Sequence, residues 1–139
     1  MLSASQVYEK IDRICKANLD GETFRREVIT ILRRAIAFDA WCWPLLDPDT
    51  LLSFDGMGDT PFQPQDQLRI FALNYQTRTF PSMRMFALGH GQALRLNANP
   101  DGNLTRTDFW EEVYGSLGVR DEMRISLSTN GRLKRLRTR

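Results

Sequence analysis

The chain has 139 residues, 42% of them hydrophobic and 26% charged, a length and balance that suit one globular domain and exclude a disordered or low-complexity polymer. No apolar run approaches the roughly 20 residues that span a bilayer, and the two cysteines have neither the spacing of a zinc site nor that of a redox motif. The formal net charge is only +2, but Arg132, Lys134, Arg135, Arg137 and Arg139 gather at the end, leaving a near-neutral to slightly acidic body.

Ser3-x-x-Gln6 is a capping-box signature. Val7, Ile11, Ile14 and Cys15 then follow at helical spacing, predicting a first amphipathic helix to about residue 17. Asp20-Gly21 breaks it and supplies the next cap. A second helix is expected over about residues 22–37, with Phe24, Val28, Ile31, Leu32 and Ala35 inward and Arg25, Arg26, Arg33 and Arg34 outward. The two make an N-terminal antiparallel helical hairpin.

Residues 39–46 read as a strand in which Trp41 and Trp43 share a face, and Pro44 places it at a sheet edge or a bulge. Cys15 and Cys42 are both expected to be buried. Asp47-Pro48-Asp49 is a turn, residues 51–54 are the return strand, and Gly56-x-Gly58 opens a loop. A third helix starts near Pro64, with Leu68, Phe71, Ala72 and Tyr75 as its apolar stripe. Residues 83–88 suit a short helix, residues 92–96 a strand and residues 97–103 a loop. Thr105 or Thr107 caps a fourth helix that buries Phe109, Trp110, Val113 and Leu117 and stops at Gly118, with Val119 placed for the accompanying hydrophobic contact. A last strand covers residues 122–129, where Met123 to Thr129 alternates apolar and polar, and Asn130-Gly131 signals a hairpin. The expected class is α+β, an antiparallel sheet with helices packed on it, in one domain over residues 1–131 followed by a basic tail over 132–139.

The inventory of catalytic groups is thin. His90 is the only histidine, and neither a Cys/His pair nor a histidine–carboxylate cluster accompanies it. Gly56-x-Gly58 lacks the Gly-Lys-Ser/Thr and the third glycine of phosphate-binding loops. Asp47, Asp49, Asp55 and Asp59 lack the ligand alternation of a calcium loop. We therefore expect no enzyme, no catalytic residue, no cofactor and no metal. The aromatic residues are more informative: Trp41, Trp43, Phe54, Phe71, Tyr75, Phe109 and Trp110 all fall on predicted elements around one sheet, a pattern that suits a packed core and an apolar ligand cavity alike.

The stretch Phe38-Asp-Ala-Trp-Cys-Trp-Pro-Leu-Leu-Asp-Pro-Asp-Thr-Leu-Leu52 resembles the N-terminal GAF-like sensor domain of bacterial LuxR-type helix-turn-helix transcriptional regulators. Leu73-Asn-Tyr75 and Gly115-Ser-Leu-Gly-Val-Arg-Asp-Glu-Met-Arg124 support it, the latter being similar to a helix-end Pro-Leu-Gly turn followed by an Asp-Glu-Leu-Arg strand entry. The resemblance runs over about residues 28–131. It implies a GAF fold, with five or six antiparallel strands flanked by helices, that binds a small effector or mediates dimerisation. The chain departs from the pattern in that a basic run replaces the strand after the hairpin and neither linker nor helix-turn-helix follows. The Asn-Lys-Phe-Asp-Glu signature of cyclic-nucleotide GAF domains and a bilin-type cysteine are absent.

Taken with that resemblance, which alone implies the regulatory role, the expectation is a non-catalytic, cytoplasmic sensory domain of a transcriptional regulator lacking its DNA-binding part. A small-molecule effector is expected against Trp43, Phe54, Phe71, Tyr75, Met123 and Ile125, and a homodimer through the N-terminal helices; neither a membrane nor direct DNA binding is expected. The alternative is a ligand-free dimerisation or interaction module. A third reading is nucleic-acid contact through the tail and the arginines of the second helix, which predicts a steep fall of affinity with salt.

Overall fold

The structure is a computed structural model and describes residues 1–76, 93–95 and 107–127. It is a mixture of helix and antiparallel strand, α+β in class, in two compact units. Of the described residues, the first unit holds Met1–Leu45 and Phe54–Thr60, and the second holds Leu46–Ser53 and those from Pro61 to Leu127. The segments expected at 83–88 and 97–103, His90, the Asn130-Gly131 hairpin and the tail at 132–139 lie outside the described residues.

In the first unit, helix α1 (Ala4–Cys15) opens on the predicted capping box. Ser3 Oγ accepts from the Gln6 amide at 3.3 Å, and Gln6 Oε1 accepts from the Ser3 amide at 2.9 Å. Helix α2 (Gly21–Arg33) is capped by Asp20, which accepts from the Thr23 amide at 2.9 Å and from the Thr23 hydroxyl at 2.8 Å. Those bonds hold the Asp20 carboxyl below the usual carboxylate range. The two helices pack on one another, and the Leu2 amide donates to the Arg34 carbonyl at 2.8 Å, so the start of α1 lies beside the end of α2. The helical hairpin is therefore antiparallel, as the short connection requires.

Two expectations fail here. Cys15 and Cys42 are exposed, not buried. Arg25, assigned to the outer face, is buried with Val28 and Ile31. Its Nε donates to the Gly21 carbonyl one turn back at 3.2 Å, which lets the long aliphatic stem lie along the apolar face.

Strands β1 (Trp41–Leu46) and β2 (Ser53–Asp59) form a two-stranded sheet. Gly58 lies against Trp41 and Cys42, Gly56 against Trp43 and Pro44, and the Asp47 amide donates to the Leu52 carbonyl at 2.9 Å, so the strands run antiparallel. The return strand is thus longer than expected and contains both glycines. They are there for close approach and not for a loop. A Cβ on Gly58 would lie 2.6 Å from the Trp41 carbonyl oxygen and 3.0 Å from Cys42 Cα. Gly58→Ala is expected to destabilise the protein by about 1–3 kcal/mol, because backbone on the facing strand must move; a chemical denaturation midpoint equal to that of the parent would refute this.

In the second unit, helix α3 (Pro64–Tyr75) begins at the predicted proline, and Gln63 and Asp66 close a reciprocal cap in front of it. Its buried side is not the predicted stripe. Leu73 is buried and Ile70 packs beside it, whereas Leu68 and Phe71 are exposed. Helix α4 is a π-helical turn, Trp110–Tyr114, continued by the α-helical Gly115–Leu117. Thr107 Oγ1 accepts from the Trp110 amide at 3.2 Å, one of the two predicted caps. Gly118 ends the helix at φ 72°, and the Val119 amide donates to the Tyr114 carbonyl at 3.1 Å, the expected left-handed stop.

Leu73, Phe109, Val113 and Tyr114 are the buried core of this unit, with Phe62, Ile70, Trp110, Leu117 and Val119 packed around them. The Phe62 and Tyr114 rings stack at 5.8 Å and 7°, and Phe109 tilts against Tyr114 at 5.6 Å. Strands β3 (Leu94–Arg95) and β4 (Met123–Arg124) pair antiparallel, Leu94 opposite Arg124 and Arg95 opposite Met123. Among the described residues the four strands therefore make two small sheets rather than one sheet of five or six strands.

Candidate functional site

The six residues expected to line an effector pocket divide between the units. In the first, Trp43 is half-buried in β1 with its ring edge-on to Phe24 of α2, centroids 6.3 Å apart at 63°. Phe54, in β2, is exposed. In the second unit the structure brings Phe71 and Tyr75 together on α3, their rings 4.7 Å apart and tilted by 49°. Phe71 stays 48% exposed. Tyr75 is anchored by its hydroxyl, which donates to the Leu51 carbonyl and accepts from the Ser53 amide, both at 2.9 Å. Partial burial pushes its phenol upward, against the lowering effect of the Ser53 amide. Immediately before those two contacts runs a turn in which Asp47 Oδ1 accepts from the Asp49 and Thr50 amides at 2.9 Å, and Leu51, which follows it, sits at φ 62°, a left-handed conformation that costs a leucine about 1–2 kcal/mol.

Met123 and Ile125, expected to face inward, are 55% and 54% exposed, and Leu127 is exposed beside them. The period-two reading of this segment holds but its faces are exchanged: Arg124 and Ser126 turn inward instead. The reason is the set of partners that waits for Arg124. Its Nε donates to Glu122 Oε1 at 2.6 Å, its Nη1 donates to Asn74 Oδ1 at 3.0 Å, and its guanidinium lies over the Phe109 ring, 4.9 Å from the centroid. The side chain is 11% exposed. Burial works against its charge, and the Glu122 carboxylate more than offsets that, so its pKa is raised.

Tyr114 belongs to the same cluster. Burial pushes its phenol far above the ordinary value of 10.0, the charge of Glu122 adds to the rise and that of Arg124 opposes it. The folded chain therefore holds the phenolic proton more tightly than the unfolded chain. Stability is intact below about pH 10 and is expected to fall as the pH rises beyond it. Alkaline titration followed by tyrosinate absorbance and circular dichroism checks this, and Tyr114→Phe should make the alkaline loss smaller.

Sequence reading missed this cluster because Asp121-Glu122 looks like a solvated strand entry. The available signal was Glu122-x-Arg124, opposite charges two apart and hence on one face of a strand. Around it, Arg69 pairs with Glu112 at 2.9 Å and Arg95 with Asp121, both near the surface.

A second group of polar side chains converges in the first unit. Arg26, Ile29, Thr30 and Arg33 of α2, Trp41 of β1 and Asp59 of β2 line an open depression of about 180 Å³, smaller than the ~300–1,000 Å³ of typical small-molecule clefts. Arg26 holds Glu22 at 3.1 Å in an exposed i,i+4 pair, and Arg33 lies 5.3 Å from the Phe38 ring centroid. Among the described residues no three of His, Cys, Asp and Glu stand together as metal ligands, and no helix is long and apolar enough to cross a membrane.

Compared with protein-family models, with curated proteins and with solved structures, the chain finds no match in any of the three.

Proposed function

We propose that this chain is a non-catalytic regulatory domain of the GAF-like, LuxR-type sensor kind that its sequence resembles, and that it responds to a small apolar or amphipathic effector. The observation that carries the reading is the Tyr75 clasp. The Phe71–Tyr75 ring pair leaves Phe71 half-open to solvent, and the Tyr75 hydroxyl holds Leu51, itself in the left-handed conformation, and Ser53 at the end of the Asp47 turn. An aromatic contact made by an effector would shift Tyr75 and thereby the turn, which is the coupling a sensor needs.

A thermal-shift screen of small amphipathic compounds tests the proposal. An effector at about 100 times its dissociation constant adds roughly 2.7 kcal/mol of stability, and a screen in which no compound moves the transition would overturn the reading. Tyr75→Phe keeps the ring and removes both hydrogen bonds. It is expected to cost about 1–3 kcal/mol, since the Ser53 amide and the Leu51 carbonyl lose their partner. It should also abolish the response of the amides at 49–53 to effector while leaving the response at Phe71, as two-dimensional NMR would show.

A homodimerisation module acting through α1 and α2 is the second reading. It is favoured by α1 having no fully buried residue, with Val7, Ile11 and Ile14 only half-covered and Tyr8 exposed. Sedimentation equilibrium decides it: a monomer across the accessible concentration range excludes this reading.

A further inference from the structure

We infer that the depression on the first unit is a seat for a small zwitterion of the size of an α-amino acid, separate from the aromatic pair on α3. Its walls carry opposite charges that do not neutralise each other. Arg33 comes from the helix side and Asp59 from the strand side, and among the described residues neither is in an ion pair. The Trp41 indole stands in the lining with its N–H donating to no described group. Thr30 spends its hydroxyl proton on the Arg26 carbonyl at 2.9 Å, which leaves the oxygen lone pairs able to accept. Among the described residues the Arg26 side chain is tied only to Glu22, an exposed pair of the kind worth about 0.3–0.5 kcal/mol, so a ligand can recruit it at little cost.

The charge pattern selects the ligand. A simple anion would meet two guanidinium groups but also the Asp59 carboxylate, and a simple cation would meet Asp59 but also Arg26 and Arg33. A molecule with both charges matches both walls. Its carboxylate takes the planar fork of Arg33, assisted by Arg26. Its ammonium sits at Asp59, where the Trp41 ring adds a cation–π contact, and donates to the lone pairs of Thr30 Oγ1. Ile29 offers apolar contact to the ligand's side chain, and the ~180 Å³ volume limits it to about the dimensions of one amino acid. Gly58 contributes indirectly: the close strand approach it permits sets Asp59 next to Trp41.

The test is a two-dimensional NMR titration of the 139-residue chain with each common L-α-amino acid in turn, read at the three indole N–H signals. The expected result is a saturable shift of the Trp41 signal, with Trp43 and Trp110 unchanged as internal references. The methyl ester and the N-acetyl derivative of the tightest ligand each lack one charge and should bind about tenfold or more weaker. Arg33→Gln and Asp59→Asn should weaken binding similarly; both side chains are exposed and outside the ion pairs of the described residues, so Asp59→Asn should leave the melting temperature unchanged and Arg33→Gln should lower it only by the exposed contact over the Phe38 ring. No saturable Trp41 shift up to the solubility limit would overturn the inference, and so would derivatives or variants that bind as tightly as the parents. A compound that shifts Phe71 and the 49–53 amides but not Trp41 supports the effector reading above and counts against this one.

Discussion

Arg124→Met is expected to destabilise the protein by about 3 kcal/mol or more, against a typical domain stability of only about 5–15 kcal/mol. Methionine replaces most of the buried stem, so little packing is lost. What remains is the Glu122 carboxylate, 76% covered by protein and next to the buried Tyr114 ring, without the cation that held it at 2.6 Å. Asn74 Oδ1 also loses its donor, and the Phe109 ring its guanidinium. Since the Glu122 side chain keeps 24% exposure, water screens part of its charge and the loss sits at the lower end of the range for broken buried pairs, about 3–5 kcal/mol. The double variant Glu122→Gln with Arg124→Met removes both charges and should recover at least about 1 kcal/mol of it. Urea denaturation of the four proteins of this cycle measures the coupling; a single-variant loss under about 1 kcal/mol would show that the network is incidental.

The other large effect is at Phe109, which is 0% exposed and meets Tyr114 at 5.6 Å, with the Arg124 guanidinium over its face. Phe109→Ala removes an entire buried ring and leaves a cavity between Leu73 and Val113, a change that costs about 3–5 kcal/mol. It takes the cation–π partner of Arg124 with it, so the loss should lie toward the upper end. Phe109→Leu fills much of the space and should cost clearly less. A thermal or urea transition for the alanine variant within about 1 kcal/mol of the parent would mean that the second unit does not rest on this cluster.

These two positions also show where sequence reasoning reached and where it stopped. Phe109 and Val113 are legible because four-residue spacing on a capped helix states a buried face without further information. Arg124 is not, because alternation reveals that a strand has two faces but not which one turns inward. Apolar Met123 and Ile125 were the natural choice for the inside, and the decision was reversed by partners distant in the chain, Asn74 and Phe109. The same limit explains α3. Leu68, Phe71, Ala72 and Tyr75 form a plausible stripe, yet Leu73 and Ile70 are the residues that meet α4. Of the six residues expected to line an effector pocket, Phe71 and Tyr75 are a ring pair in the structure, a closeness legible from their separation of four on a helix.

What the sequence determined by itself is local: the Ser3–Gln6 and Asp20 caps, the antiparallel helical hairpin, the Asp47 turn, the Gly118 stop, and the presence and type of most elements among the described residues. Each depends on groups within a few residues of one another, whose geometry the chain itself dictates. Only the tertiary structure decided that Gly56 and Gly58 belong to a strand, that Arg25 and Arg124 go inward while Cys15 and Cys42 go outward, and that Arg33, Trp41 and Asp59 share one depression. Those outcomes turn on which distant group supplies contact or charge at each face, and the energy of such a contact is absent from any short window of sequence.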